Sequence, residues 1–212
     1  MLYRFVHNST VRSHGKIPSL VMLGFTNTQC LVLHSTDLDY FPEDINDFTN
    51  KCEKIGFLSL EDKGLDTGYY LTGENFLQQI TFMGCSPYLK IYPDDENDTD
   101  FCSVFIPATS QTAKLITSKQ ARCPFCPQCK KTLPVDMSIL IAKTVLSCPN
   151  CQCHLRADEL DWRRNAGFVN FAIVISNIFP KEAIPTEGLL NGLSQITGGE
   201  WKYFYTDFSE DA

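Results

Sequence analysis

No hydrophobic run in the chain is long enough to cross a bilayer. The longest nearly apolar stretch, Phe168 to Ile175, is about half of the ~20 residues a spanning helix needs. Met1 to His14 holds no apolar core of the kind a signal peptide requires. Both absences point to a soluble, cytoplasmic protein in a reducing compartment, with no membrane partner. Histidine is scarce, at four in 212 residues, and His7, His14 and His34 stand at no metal or triad spacing. The H-E-x-x-H, G-x-S-x-G and Gly-rich phosphate-loop patterns are missing, which removes the chemistries those motifs carry. With those motifs missing the balance leans toward a non-catalytic protein, although a dispersed active site would leave no such mark. Positive charge is also short. The 18 Lys and Arg against 25 Asp and Glu leave a net charge of −7, which disfavours nucleic acid as the partner.

Cysteine, by contrast, is abundant. Six of the ten fall between Cys123 and Cys153, while Cys30, Cys52, Cys85 and Cys102 are scattered. Scattered cysteines read as small buried apolar residues. Cys85 follows Gly84 at an expected helix stop, the negative end of a helix, where a thiolate is disfavoured. The clustered six are different. Cys123-Pro-Phe-Cys126-Pro-Gln-Cys129 and Cys148-Pro-Asn-Cys151-Gln-Cys153 are paired C-x2-C turns, the pattern of a tetrahedral thiolate zinc site. Two frames compete on the first side. Cys126 and Cys129 leave 18 residues before Cys148, whereas Cys123 and Cys126 leave 21. The usual gap of ~15–20 favours the first. Cys151 and Cys153 are too close to repeat the turn. The expected ligands are therefore Cys126, Cys129, Cys148 and Cys151, with Cys123, Cys153 and His154 as substitutes beside them. Proline after the first cysteine of each pair presets the turn.

These residues resemble the zinc-ribbon superfamily and, more loosely, the metal knuckles of rubredoxin. The resemblance covers residues 122–156, about a sixth of the chain. It implies a metal held between two β-hairpin knuckles, with zinc expected over iron. Ribbons often place glycine after the second cysteine of a knuckle, on a left-handed backbone. Here Lys130 and Gln152 stand there, at a cost of ~1 kcal/mol or more each if that backbone is kept. Four thiolates leave no open position, so the expected site is structural. Iron in a rubredoxin-like site, or dithiol chemistry at Cys123 and Cys153, is the redox alternative.

Hydrophobic residues make up 43% of the chain. A chain of this size buries roughly 70% of its unfolded surface, so the core does not depend on metal. Short strands are expected over Leu2–Val6, Ser19–Phe25 and Cys30–His34. A helix follows from Phe41-Pro42-Glu43-Asp44, burying Ile45, Phe48, Cys52 and Ile55 and capped by Gly56. Glu61–Gly68 reads as a loop, and Tyr69–Leu71 as a strand. A second helix is expected over Gly73–Met83, with Phe76, Leu77, Ile80 and Met83 inward. Tyr88–Tyr92 and Phe101–Ile106 read as a hairpin around the acidic tip Asp94–Asp100. That tip lacks the glycine and glutamate of a calcium loop. Gly167–Phe179 reads as one buried strand. Thr186-Glu187 opens a third helix lined by Leu189, Leu190, Leu193 and Ile196 and ended by Gly198-Gly199, before a strand over Trp201–Tyr205. Helix, glycine stop and aromatic strand occur at 74–92 and again at 187–205. The expected fold is α+β, an antiparallel sheet packed by two or three helices, with a ferredoxin-like order as the arrangement that fits. Residues 1–121 and 157–212 would form the body and 122–156 the inserted ribbon.

Charge is uneven along this plan. Lys119 to Arg164 carries +4, leaving −11 for the rest. Local compensation of a doubly negative zinc–thiolate centre explains the excess, and so would a polyanion partner. The favoured partner is a protein meeting Lys130, Lys131, Arg156, Arg163 and Arg164, with nucleic acid as the alternative. Trp162-Arg163-Arg164 reads first as the anchor of the insert on the body.

Overall fold

A computed structural model describes residues 28–61, 68–83, 89–95, 98, 100–108, 112–118, 121–178 and 182–208. The strands expected at Leu2–Val6 and Ser19–Phe25, and Cys85, lie outside the described residues. In chain order the elements are β1 (Thr28–Ser35), α1 (Ile45–Lys54), β2 (Leu58–Ser59), β3 (Tyr69–Thr72), α2 (Phe76–Gln79), β4 (Ile80–Phe82), β5 (Val104–Phe105), β6 (Lys114–Thr117), β7 (Val145–Ser147), β8 (His154–Arg156), β9 (Ala166–Val169), β10 (Ala172–Ser176), β11 (Ala183–Pro185), α3 (Glu187–Thr197) and β12 (Trp201–Phe208).

Six strands form one antiparallel sheet in the order β12-β1-β10-β5-β3-β2. Two split β-α-β units interleave in it. One runs from β1 through α1 to β5 around β10, and the other from β10 through α3 to β12 around β1. This is the ferredoxin-like arrangement, with β3 and β2 added at the β5 edge. The protein is α+β, as its sequence suggests. No helix among the described residues is long and apolar enough to cross a membrane.

Both long helices cover one face of the sheet. Along β1 the period-2 alternation sends Leu31 and Leu33 to that face, against Phe48 and Cys52 of α1 and Leu189 and Leu193 of α3. The caps are those read from the sequence. The Asp44 carboxylate accepts from Asn46 N–H at 2.8 Å, and Gly56 takes a left-handed φ of 71°. The Thr186 hydroxyl accepts from Leu189 N–H at 3.2 Å, and Gly198 closes α3 at φ 76°. Cys30 and Val32 point to the opposite face. There Phe105, Val174, Val169, Ala172 and Phe204 bury them, and the β6–β9 pair lies beside them.

Three expectations need correction. The helix expected over Gly73–Met83 is one turn long and becomes β4 at Ile80. The ladder with β11 takes its backbone groups instead: Met83 N–H donates to Glu182 C=O at 2.8 Å, and Thr186 N–H to Gln79 C=O at 2.9 Å. Phe76 and Ile80 are buried, but Leu77 and Met83 are 53% and 59% exposed and form no inner face. Residues 89–92 form no strand. Cys102 N–H donates to Lys90 C=O at 2.7 Å, while β5 pairs with β10 and β3 instead. The repeat seen between 74–92 and 187–205 therefore dissolves. Lastly, the long strand expected from Gly167 is two, β9 and β10, in different sheets. The break at Asn170-Phe171 has a cause. Asn170 Nδ2 donates to Tyr40 C=O at 3.1 Å, and the Phe171 ring sits edge-on to Tyr40, Phe41, Phe48 and Trp201. One residue's turn aims that ring into the helix-side core, so the strand cannot continue in register.

The acidic tip is closed by a side chain. Lys90 Nζ lies 2.5 Å from both Asp94 and Asp98 carboxylates, so an ammonium group sits where a calcium loop would hold its ion.

Candidate metal centre

The cysteine-rich segment builds two copies of one turn. In the first, Lys130 N–H donates to Cys126 C=O at 2.9 Å, and Cys126 N–H to Lys131 C=O at 2.8 Å. In the second, Gln152 N–H donates to Cys148 C=O at 2.8 Å, and Cys148 N–H to Cys153 C=O at 2.9 Å. The residue after each second cysteine is left-handed, Lys130 at φ 59° and Gln152 at φ 61°. The glycine-like backbone is thus kept without glycine.

Inside each turn, amide hydrogens point at sulfur. Cys126 Sγ accepts from the N–H groups of Cys129 and Gln128, and Cys148 Sγ from those of Cys151 and Asn150. Cys129 Sγ accepts from Lys131 N–H, and Cys151 Sγ from Cys153 N–H. Donors aimed at sulfur favour the thiolate. They bring Cys126 down to about 6 and lower Cys148 as well. The Lys131 N–H pulls on Cys129, but desolvation and the neighbouring sulfurs leave it up at about 11. Cys151 also stands at about 11. Its Cys153 N–H lowers it, and the Cys153 thiol and desolvation raise it more.

The sulfurs are close. Cys126 Sγ lies 3.8 Å from Cys151 Sγ and 3.5 Å from Cys153 Sγ. Cys129 Sγ lies 3.6 Å from Cys148 Sγ, and Cys151 Sγ 3.3 Å from Cys153 Sγ. The four Sγ atoms of Cys126, Cys148, Cys151 and Cys153 all fall within 4.8 Å of one another. A Zn–S length of ~2.3 Å puts tetrahedral sulfurs roughly 3.8 Å apart, so four thiols at this spacing fit a metal ion. Cys126 and Cys148 are buried, Cys129 and Cys153 half-buried, and Cys151 exposed.

The module has its own apolar cluster of Leu133, Leu155, Leu160, Trp162 and Ala166 around Cys126 and Cys148. The β7–β8 hairpin carries the second turn. Phe125 bridges Thr132 and Asp161, tying the first turn to the returning chain.

The other candidates are placed apart. Cys123 is half-buried and outside the cluster. It lines a cavity of about 570 Å³ with Arg122, Trp162 and Arg163. His154 is exposed, its Nδ1 3.0 Å from Ser147 Oγ across the hairpin. Cys30, Cys52 and Cys102 are buried core thiols. Burial pushes both Cys52 and Cys102 up to about 12, which makes them inert.

Of the five expected partner residues, Lys130 and Lys131 are exposed. Arg156 pairs with Asp158. Arg163 pairs with Asp161 at 3.2 Å and lies 4.3 Å over the Phe125 ring, while Arg164 lies 4.6 Å over Tyr203 of β12. Arg164 C=O also accepts from Tyr205 N–H at 3.0 Å, so this turn fastens the module to the sheet. Both arginines are left-handed, at φ 51° and 61°. No signal in the sequence marks that pair of unusual backbones, because Arg-Arg has no preference for them.

No protein-family model, curated protein or solved structure matches the chain.

Proposed function

We propose that the protein is a zinc-binding protein in which Cys126, Cys129, Cys148 and Cys151 form a closed, structural site. The observation that carries this reading is the matched set of amide donors. Each of these four sulfurs accepts backbone N–H groups from its own turn. Mutual distance alone picks Cys153 over Cys129. The donor pattern is the better guide, because it repeats between the turns and Cys153 falls where Lys131 falls in the first. Bound zinc supplies a cross-link between the turns and no open position for substrate. The chain's own groups spread the thiolate charge through the amides and shield Cys126 and Cys148 from water.

The reading extends to a binding or regulatory role, as an adaptor or assembly factor. Lys130 and Lys131 are exposed on the first turn, and the same module exposes Ile139, Ile141 and Val145. Exposed apolar and basic groups carried on one segment suit an acidic protein surface. Arg156 and Arg163 already have acid partners within the chain, which with the net charge of −7 favours protein over nucleic acid.

Elemental analysis and a visible spectrum of the natively purified protein test the site. One zinc per chain without colour supports it. Iron with visible charge-transfer bands would move the assignment to a rubredoxin-like electron carrier, and protein free of bound metal would end it. For the partner, Lys130→Glu with Lys131→Glu should abolish co-purification of the bound protein at unchanged zinc content.

A further inference from the structure

Two four-thiol sets overlap in the cluster. The amide donors select Cys126, Cys129, Cys148 and Cys151. Mutual distance selects Cys126, Cys148, Cys151 and Cys153. Three members are common. We propose that Cys129 and Cys153 are alternative fourth ligands of one metal site, which makes it a thiolate-exchange centre for zinc or a similar thiophilic divalent ion. The inference rests on the metal-binding reading above.

The geometry supports two sets and excludes simultaneous use of all five. Cys153 is fixed by its own backbone: its C=O accepts from Cys148 N–H at 2.9 Å, and its N–H faces Cys151 Sγ. That anchoring leaves its sulfur 3.3 Å from Cys151 and 3.5 Å from Cys126. Both separations are shorter than the roughly 3.8 Å edge of a zinc–sulfur tetrahedron, so a fifth bound sulfur would crowd the four. Cys129 approaches from the other turn, 3.6 Å from Cys148. The two thiols are similarly half-buried, so neither is shut away from the ion. Lys131 holds the equivalent place in the first turn and has no sulfur to offer. The duplication is therefore one-sided, and the exchangeable position is the one Cys129 occupies.

The exchange balances without an oxidant. Cys153 gives its proton to solvent as its sulfur–metal bond forms. The Cys129–metal bond breaks, and Cys129 takes a proton from solvent. Four thiolates hold the ion before and after the exchange, and the net charge of the centre is unchanged. A site with a spare thiol beside it restores four-coordination after losing one ligand, so it can pass its ion on by stepwise substitution.

Cobalt(II) is the probe, since its visible bands report sulfur count and tetrahedral geometry. Full-length wild type, Cys129→Ser, Cys153→Ser, the double variant and Cys148→Ser are titrated, with circular dichroism confirming each fold. The expected result is that each single variant at 129 or 153 keeps wild-type band intensity and binds within about tenfold of wild type. The double variant should lose affinity by on the order of a hundredfold, as should Cys148→Ser. Cys129→Ser as impaired as Cys148→Ser would overturn the proposal. A wild type that binds no cobalt would instead sink the metal reading itself. A second measurement needs no substitution. In zinc-loaded wild type, iodoacetamide should modify Cys129 and Cys153 to comparable extents, as mapped by mass spectrometry. Modification of Cys153 with full protection of Cys129 would overturn the exchange.

Discussion

Lys130 and Gln152 occupy the same place in the two turns, each donating its N–H to the carbonyl of the first cysteine from a left-handed backbone. Neither is glycine, so both positions store strain of roughly 1 kcal/mol. Lys130→Gly and Gln152→Gly should each raise stability by up to ~1 kcal/mol, the relief exceeding the entropy that glycine adds to the unfolded chain. A β-branched residue there, as in Lys130→Val, should lower it. Urea unfolding of the three variants checks the order. Destabilisation by both glycines would show that the strain is absent.

Chelation should unfold part of the molecule only. The cluster around Cys126 and Cys148 is separate from the helix-side core. On removing metal, the amides of Cys126, Lys130, Cys148 and Gln152 should lose hydrogen-exchange protection, while those of β1, β10 and β12 keep it. Loss of protection in β1 at the same rate would mean that the two regions fold as one unit.

Gly73 admits no side chain. An added Cβ would stand 2.4 Å from Gly56 C=O and 2.8 Å from Leu58 C=O, and Gly73 N–H donates to Phe57 C=O at 3.0 Å. Gly73→Ala should cost about 1–3 kcal/mol, since backbone atoms cannot turn aside. Thermal unfolding reads this directly. An unchanged midpoint would mean that the loop yields.

Burial lowers His34 to about 4, with the Ser35 carbonyl acting against it. Its ordinary value is ~6.5. Between these pH values the unfolded chain binds a proton that the folded chain does not. Stability should therefore fall as pH drops from ~6.5 toward 4, by on the order of 2–3 kcal/mol in all. His34→Gln should remove that part of the slope. Unfolding midpoints at pH 7.5 and 5 for both proteins make the comparison, and identical slopes would assign the effect elsewhere.

What could be read from the sequence was local. Asp44, Gly56, Thr186 and Gly198 cap α1 and α3 because caps depend on the nearest few residues. The cysteine turns were legible for the same reason. The second helix was not, since Ile80 extends only because Glu182 and Thr186 arrive to pair beside it. The pattern of Phe76, Leu77, Ile80 and Met83 suits a helix, and a distant strand overrides it. Asn170 likewise ends β9 through Tyr40, a contact that residue spacing cannot show. At the cysteine cluster, spacing identified the two turns. It could not show that Cys153 returns to within 3.5 Å of Cys126, because that depends on how the turns face one another.

The placement of β1 has a consequence for biosynthesis. Both its neighbours come late in the chain: Cys30 pairs with Ser176 on one side and Thr206 on the other. A ribosome therefore releases the central strand long before either partner exists. The cysteine turns close over short distances and emerge complete before β10 begins. The cysteine turns can thus close on the nascent chain, ahead of the sheet. Through that interval β1 stands without either ladder, leaving Leu31 and Leu33 uncovered on the growing chain.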